Sequence, residues 1–337
     1  MSDARLLLSS PIPSENPVSD LTVVDTGHGP LVVCADFYGA AWTWDPLRDV
    51  WQKRPLTYAF TGDPLAAQYP DAENEIDKVA ATVVDGRVVL AAGDDEQAPA
   101  LWDLASGELL RGTTYGQPYS GAVTTVRGAG PARFVTGSQY VGLLQVWDAS
   151  GRTPPQELPC EQYDITALAS AWVEGRSLLA VGGDSVDVWD LSRSEQLASF
   201  CPYDDGIWAV SVAARPGRSR PLVTAAGGPG ELYVWELPED GDQDGDPLHE
   251  PLTGHEDSIL AMDTATVADR LLAVTAGKDE TVRLWDLAAG EAVGAPLTGH
   301  HSSVETVCTT VLEGREVALS GGRDGVVRVW DLAAALS

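Results

Sequence analysis

Lysine is almost missing from this chain, which has only Lys53, Lys78 and Lys278. Arginine lifts the basic total to 21, against 50 acidic residues, for a formal net charge of −29. A phosphate backbone is repelled by such a charge, so nucleic acid is not an expected partner. Anionic membrane surfaces are disfavoured for the same reason. Long apolar runs are also lacking: none reaches the roughly 18 residues that cross a bilayer. The N-terminal stretch MSDARLLLSSPIPSENP holds three successive Leu and no signal-like core, so the expected location is the cytoplasm. Cysteine is sparse as well. Cys34, Cys160, Cys201 and Cys308 lie far apart without CxxC spacing, which implies neither zinc nor a disulfide framework. Cys34 and Cys308 sit in apolar runs and read as small buried core residues.

What the sequence does have is a repeat. Trp followed by an acid recurs at Trp44-Asp45, Trp102-Asp103, Trp147-Asp148, Trp189-Asp190, Trp235-Glu236, Trp285-Asp286 and Trp330-Asp331. Successive intervals are 58, 45, 42, 46, 50 and 45 residues. The last unit, SVETVCTTVLEGREVALSGGRDGVVRVWDL, shows the grammar: three Val/Thr-rich runs divided by Gly-containing turns, a hairpin signature. No stretch keeps a helical period. Units of this kind bury their faces only against neighbours, and closing the array into a ring removes the exposed edges. The chain ends just after a third strand, while Arg5-Leu6-Leu7-Leu8-Ser9 is a spare strand at the other end. The expectation is one all-β domain over residues 1–337, a seven-bladed β-propeller, with residues 4–10 completing the last blade.

The segments TGHEDSILAM…TAGKDETVRLWDL and TGHHSSVETV…SGGRDGVVRVWDL carry Gly-His, then Ser/Thr, Asp and Trp. In them the sequence resembles the WD-repeat β-propeller family, of the bacterial kind. The resemblance implies two hydrogen-bonded tetrads, His255, Thr275, Asp279 and Trp285 in one blade and His300, Ser320, Asp324 and Trp330 in the next. A buried imidazole and a buried indole N–H both need partners, so the set reads as structural although it imitates a catalytic triad. Tyr119 and Tyr203 replace His in the third and fifth units, and the turns GSQYVG and GGPGEL lack the Asp.

On the family's frame, the tetrad end gathers Asp20, Asp77, Asp164, Asp204, Asp205, Glu256, Asp257 and Glu305, with Tyr119, Tyr163, Tyr203, Trp208 and His301 among them. Acids interleaved with aromatics suit a partner with exposed Arg or Lys, and Trp208 is the expected anchor. At the other end, turns such as Asp85-Gly86-Arg87, Glu174-Gly175-Arg176, Ala268-Asp269-Arg270 and Glu313-Gly314-Arg315 display arginines. Those arginines are expected to be solvated and paired with the preceding acid.

Two insertions interrupt the repeat, residues 62–75 and 239–250. Asp240, Asp242 and Asp244 begin like a calcium loop, but Pro251 replaces the final Glu and no flanking helix is evident, so no metal is expected. Five histidines and no nucleophile elbow or HExxH give catalysis little support. The expected function is a non-catalytic protein–protein interaction scaffold without cofactor, either monomeric or part of a hetero-complex, with a protein partner that is basic. The alternative is a metal-assisted lyase or hydrolase using carboxylates at the channel mouth.

Overall fold

The computed structural model describes residues 5–61, 74, 76–93, 99–114, 120–202, 206–238 and 245–336. It is all-β, and the one helical turn among the described residues is the 3-10 segment Ala334–Leu336. Seven antiparallel blades follow in chain order, so the fold is a seven-bladed β-propeller. Two compact units share them: Met1–Val18, Arg127–Ala129 and Thr166–Ser337 in one, Ser19–Val126 and Gly130–Ile165 in the other.

The first of these units holds blades 4 to 7. Blade 4 comprises Ala167–Val173, Arg176–Gly182, Val186–Asp190 and Glu195–Phe200. Among the described residues, blade 5 has the strands Ile207–Ala213, Leu222–Gly227 and Leu232–Glu236, with a bridge from Leu232 to Leu252 beside the last. Blade 6 is Ile259–Val267, Arg270–Gly277, Val282–Asp286 and Glu291–Leu297. Blade 7 takes Val304–Leu312, Arg315–Gly322 and Val326–Asp331 from the chain's end, and Leu6–Pro11 from its beginning pairs antiparallel with Val326–Asp331. Arg5, just ahead of that strand, ties it to blade 6 by donating to the carbonyls of Ala295 and Pro296.

The other unit holds three blades of four strands, opening with Val18–Asp25, Lys78–Val84 and Ala122–Thr125. A short parallel pair, Phe60–Thr61 with Thr113–Thr114, supplements them.

The core lies between blades, as a stack of half-buried units requires. Val186, Val188 and Phe200 of blade 4 pack with Ile207, Val210 and Trp235 of blade 5, where the Phe200 and Trp235 rings stack 5.0 Å apart. Val274, Val282 and Leu284 of blade 6 meet Val304, Val307 and Trp330 of blade 7. All seven repeat tryptophans are buried, none more than 3% exposed. Burying a large side chain stabilises by about 1.5–3 kcal/mol, so these indoles are principal fixings of each blade. Cys34 is fully buried as expected, whereas Cys308 is only partly so, because its strand is the first of blade 7 rather than a central one.

The turns between first and second strands explain their composition. Asp85 and Gly86 have φ of 49° and 77°, Glu174 and Gly175 48° and 81°, Glu313 and Gly314 50° and 78°. Two successive left-handed residues make the two-residue hairpin that matches strand twist, and glycine takes the second place without a Cβ penalty.

Candidate binding surface

The tetrads are continuous hydrogen-bond chains. In blade 6 the Trp285 indole N–H donates to Thr275 Oγ1 at 2.8 Å, and Thr275 Oγ1 lies 2.8 Å from His255 Nε2. His255 Nδ1 lies 2.9 Å from Asp279 Oδ2, so Nδ1 carries the proton given to the carboxylate and Nε2 accepts from the threonine. Blade 7 repeats this with Trp330, Ser320, His300 and Asp324 at 2.8, 2.8 and 3.0 Å. Burial alone would raise the pKa of Asp279, but His255 and the Glu256 N–H outweigh it and push the group well below the carboxylate range. Asp324 is likewise pulled down to about 2: burial opposes this, and His300 and Arg328 overcome it. His300 is pushed below its ordinary value, chiefly by burial and then, against the pull of Asp324, by the Arg328 charge. Both histidines are thereby committed to structure.

Blade 3 keeps the hydroxyl acceptor, and blades 1 and 2 use other groups. Trp147 donates to Thr136 Oγ1 at 2.8 Å, Trp44 to Asp49 at 2.9 Å and Trp102 to the Thr57 carbonyl at 2.8 Å. The Trp189 N–H in blade 4 has no acceptor among the described residues, because Val181 stands where blades 6 and 7 have Thr275 and Ser320.

The acid of each Trp-Asp pair also has a defined task. Asp45, Asp103, Asp148, Asp190 and Asp286 accept backbone N–H groups of the turn that follows. The arginines at the far turns do not pair with the preceding acid, contrary to the sequence expectation. Arg87, Arg270 and Arg315 reach instead to Asp103, Asp286 and Asp331, at 3.4, 2.6 and 3.5 Å. Asp286 and Asp103 sit below the ordinary carboxylate range; burial acts upward on both, and backbone and side-chain hydrogen bonds prevail.

A family model, WD domain, G-beta repeat, matches residues 245–286, which hold the first three strands of blade 6, and 292–331, which hold most of its fourth strand and the first three of blade 7. Those two stretches are WD repeats, and they sit in a β-propeller. No curated protein matches it. The two matched WD repeats are also the two with complete tetrads, so the family signature and the hydrogen-bond chain coincide.

At the tetrad end of blades 5 to 7, one backbone device selects what is displayed. The first strands are bulged between Ile207 and Ala209, Ile259 and Ala261, and Val304 and Thr306. The extra residues are Trp208, Leu260 and Glu305, and a bulge re-aims the residue it inserts. Trp208 is 48% exposed. A Cβ on Gly227 would lie 3.1 Å from the Trp208 ring, and one on Gly230 would lie 2.7 Å from the Asp257 carbonyl. Ser258 Oγ donates to the Gly228 carbonyl at 3.0 Å. This turn therefore joins the indole to the loop bearing exposed Glu256 and Asp257.

The remaining residues named from sequence fall into distinct settings. Glu305 is tied to Arg323 at 2.6 Å and Ser303 at 2.5 Å, and its side chain is 15% exposed. His301 is exposed. In the other unit, Asp77 lies 3.7 Å from Lys78, and Asp20 receives the N–H groups of Leu21 and Val79. Asp20 thus ties blade 1 to blade 2. Tyr163 is 64% exposed and Asp164 is half-buried. Tyr119, Tyr203, Asp204 and Asp205 lie outside the described residues, as do Asp240, Asp242 and Asp244.

Sequence reading missed four exposed residues, Phe37, Tyr38, Tyr140 and Val141. They occupy the turns where blades 6 and 7 carry Lys278-Asp279 and Arg323-Asp324. Their signal was present: two apolar residues inside a turn, where polar ones are the norm. A Cβ on Gly142 would lie 3.5 Å from the Tyr163 Cα, so Tyr140, Val141 and Tyr163 form one patch.

Proposed function

We propose that this WD-repeat propeller is a non-catalytic interaction scaffold that presents an acidic, aromatic-bearing end to a basic protein partner in the cytoplasm. Propellers of this fold generally mediate protein–protein interaction. The observation that carries the finer reading is Trp208, a half-exposed indole raised on a bulge beside Glu256 and Asp257. An indole on a rigid strand loses little entropy on docking, and carboxylates around it favour Arg or Lys on the partner. The net charge of −29 speeds approach of a basic surface and rejects acidic ones. In the other unit, Tyr163 with Tyr140, and Asp77 with Asp164, supply the same chemistry. Tyr119, Tyr203, Asp204, Asp205, His301 and Glu305 belong to the proposed surface by their place in the repeat.

Site-specific photocrosslinking tests this. A benzophenone side chain at position 208 or 163 is expected to capture a discrete partner in cells, and one at Val311, exposed near a far turn of blade 7, is not. Capture from position 311 alone would overturn the assignment.

A further inference from the structure

A recess of ≈ 390 Å³ opens where the first strands of blades 4, 5 and 6 run toward their far turns. Arg127, Ser170, Trp172, Ser211, Asp263 and Thr264 are among its lining residues. It lies at the end of these blades opposite Trp208, so the surface proposed above does not include it.

Its lining is built rather than incidental. The Arg127 N–H donates to Ser170 Oγ at 3.0 Å, which fixes the segment carrying the guanidinium. The next residue, Gly128, rests on the Trp172 ring: a Cβ there would stand 3.1 Å from Cε3 of the indole and 2.4 Å from Ser177 Oγ. Trp172 is held on that side and yet 43% exposed. Ser211 Oγ and Thr264 Oγ1 are 3.3 Å apart, and either can donate.

The charges in this recess are unequally engaged. Asp263, a lining carboxylate, already accepts from the Thr264 N–H at 2.7 Å, the Thr309 N–H at 2.7 Å and Thr309 Oγ1 at 2.9 Å. Arg127 makes no ion pair with any described residue, although acids outnumber bases 50 to 21. Arg87, Arg270, Arg315 and Arg215 all have carboxylate partners. What the recess still offers is donors: one guanidinium and a set of hydroxyls beside an indole face.

We propose that this recess binds a small organic anion, with its carboxylate or phosphate on Arg127 and its body against Trp172. A guanidinium matches both anionic groups through paired N–H donors. The volume falls at the small end of the range typical of small-molecule pockets. Size is limited by charge too. A polyanion feels the whole negative field of the chain, whereas a small ion met at contact distance is governed by Arg127.

Isothermal titration of the full chain with benzoate and with inorganic phosphate tests the site and separates the two sources. Saturable binding of at least one is expected. Arg127→Gln should weaken it about tenfold or more, as loss of a charge-assisted hydrogen bond does. Arg218→Gln, also exposed and lying outside the lining, should leave it within about twofold. If benzoate binds and phosphate does not, the ligand is a carboxylate that uses the indole, and Trp172→Phe should weaken it. Phosphate binding alone assigns a phosphate ester. Unfolding curves of each variant establish that it is folded. No saturable heat with either probe, or equal loss in both arginine variants, would overturn the proposal.

Discussion

Arg328 Nη1 donates to Asp324 Oδ2 at 2.9 Å, so the carboxylate of the blade 7 tetrad is clamped by a buried guanidinium beside His300. In blade 6 the comparable role falls to the Thr281 hydroxyl, 2.8 Å from Asp279 and 3.4 Å from His255 Nδ1. Two repeats with one family signature thus use different means to hold the same imidazole–carboxylate pair. Breaking a buried ion pair leaves a charge without compensation, at a cost of about 3–5 kcal/mol. Arg328→Met is therefore expected to destabilise by about 3 kcal/mol in urea unfolding. Arg323→Ala removes a far more exposed guanidinium and should cost about 0.5 kcal/mol. Equal losses would remove the clamp from the account.

The two indoles Trp285 and Trp189 make a matched comparison. Both are buried, but Trp285 has Thr275 as acceptor and Trp189 has none. Phenylalanine at either place loses similar ring volume. Only at position 285 does it also break a hydrogen bond. Trp285→Phe should cost about 1–2 kcal/mol more than Trp189→Phe. Comparable denaturation midpoints would show that the tetrad adds nothing beyond packing.

Acid sensitivity follows from the same groups. Asp324 has a folded value of about 2, against 3.8 ordinarily, and Asp279 is also lowered. A carboxylate with a depressed folded value contributes stability above its unfolded value and loses it as pH falls through the folded one. Their contribution is therefore full at neutral pH and declines below 3.8 toward 2. His300 has a folded value below 6.5, so the unfolded chain protonates first and stability begins to fall as pH drops below 6.5. Urea midpoints should decrease in two steps, from about pH 7.5 to 5.5 and again toward 3. A flat profile in His300→Gln over the upper step assigns it to that residue; an unchanged profile would contradict the assignment.

Strand Leu6–Pro11 covers the edge of Val326–Asp331. A bare, apolar edge strand recruits other chains. Removing residues 1–11 should lower the unfolding midpoint and produce concentration-dependent association in sedimentation. A monomer as stable as the parent would mean that the N-terminal strand adds nothing to blade 7.

The architecture was legible because Trp-Asp recurs at blade spacing, and the N-terminal strand because Leu6, Leu7 and Leu8 had no other blade to join. The tetrads of blades 6 and 7 were legible because Gly-His and Asp flank the strands at fixed intervals. The display of Trp208 depends on a bulge, a one-residue change of register that the pattern of Ile207-Trp208-Ala209 does not announce. Arg270 and Asp286 meet across paired strands, 16 positions apart in sequence, so local reading assigned the arginine to its neighbour in the turn. Glu305 and Asp20 looked like free acids because their partners, Arg323 and the Val79 N–H, come from other segments.

The most direct test of the central claim is affinity capture from native lysate at low and high salt, with the parent, Trp208→Ala and Trp172→Ala. A charge-assisted site at the Trp208 end predicts one basic protein retained at low salt, diminished at high salt, lost with Trp208→Ala and kept with Trp172→Ala. Retention that ignores both salt and Trp208→Ala would contradict it.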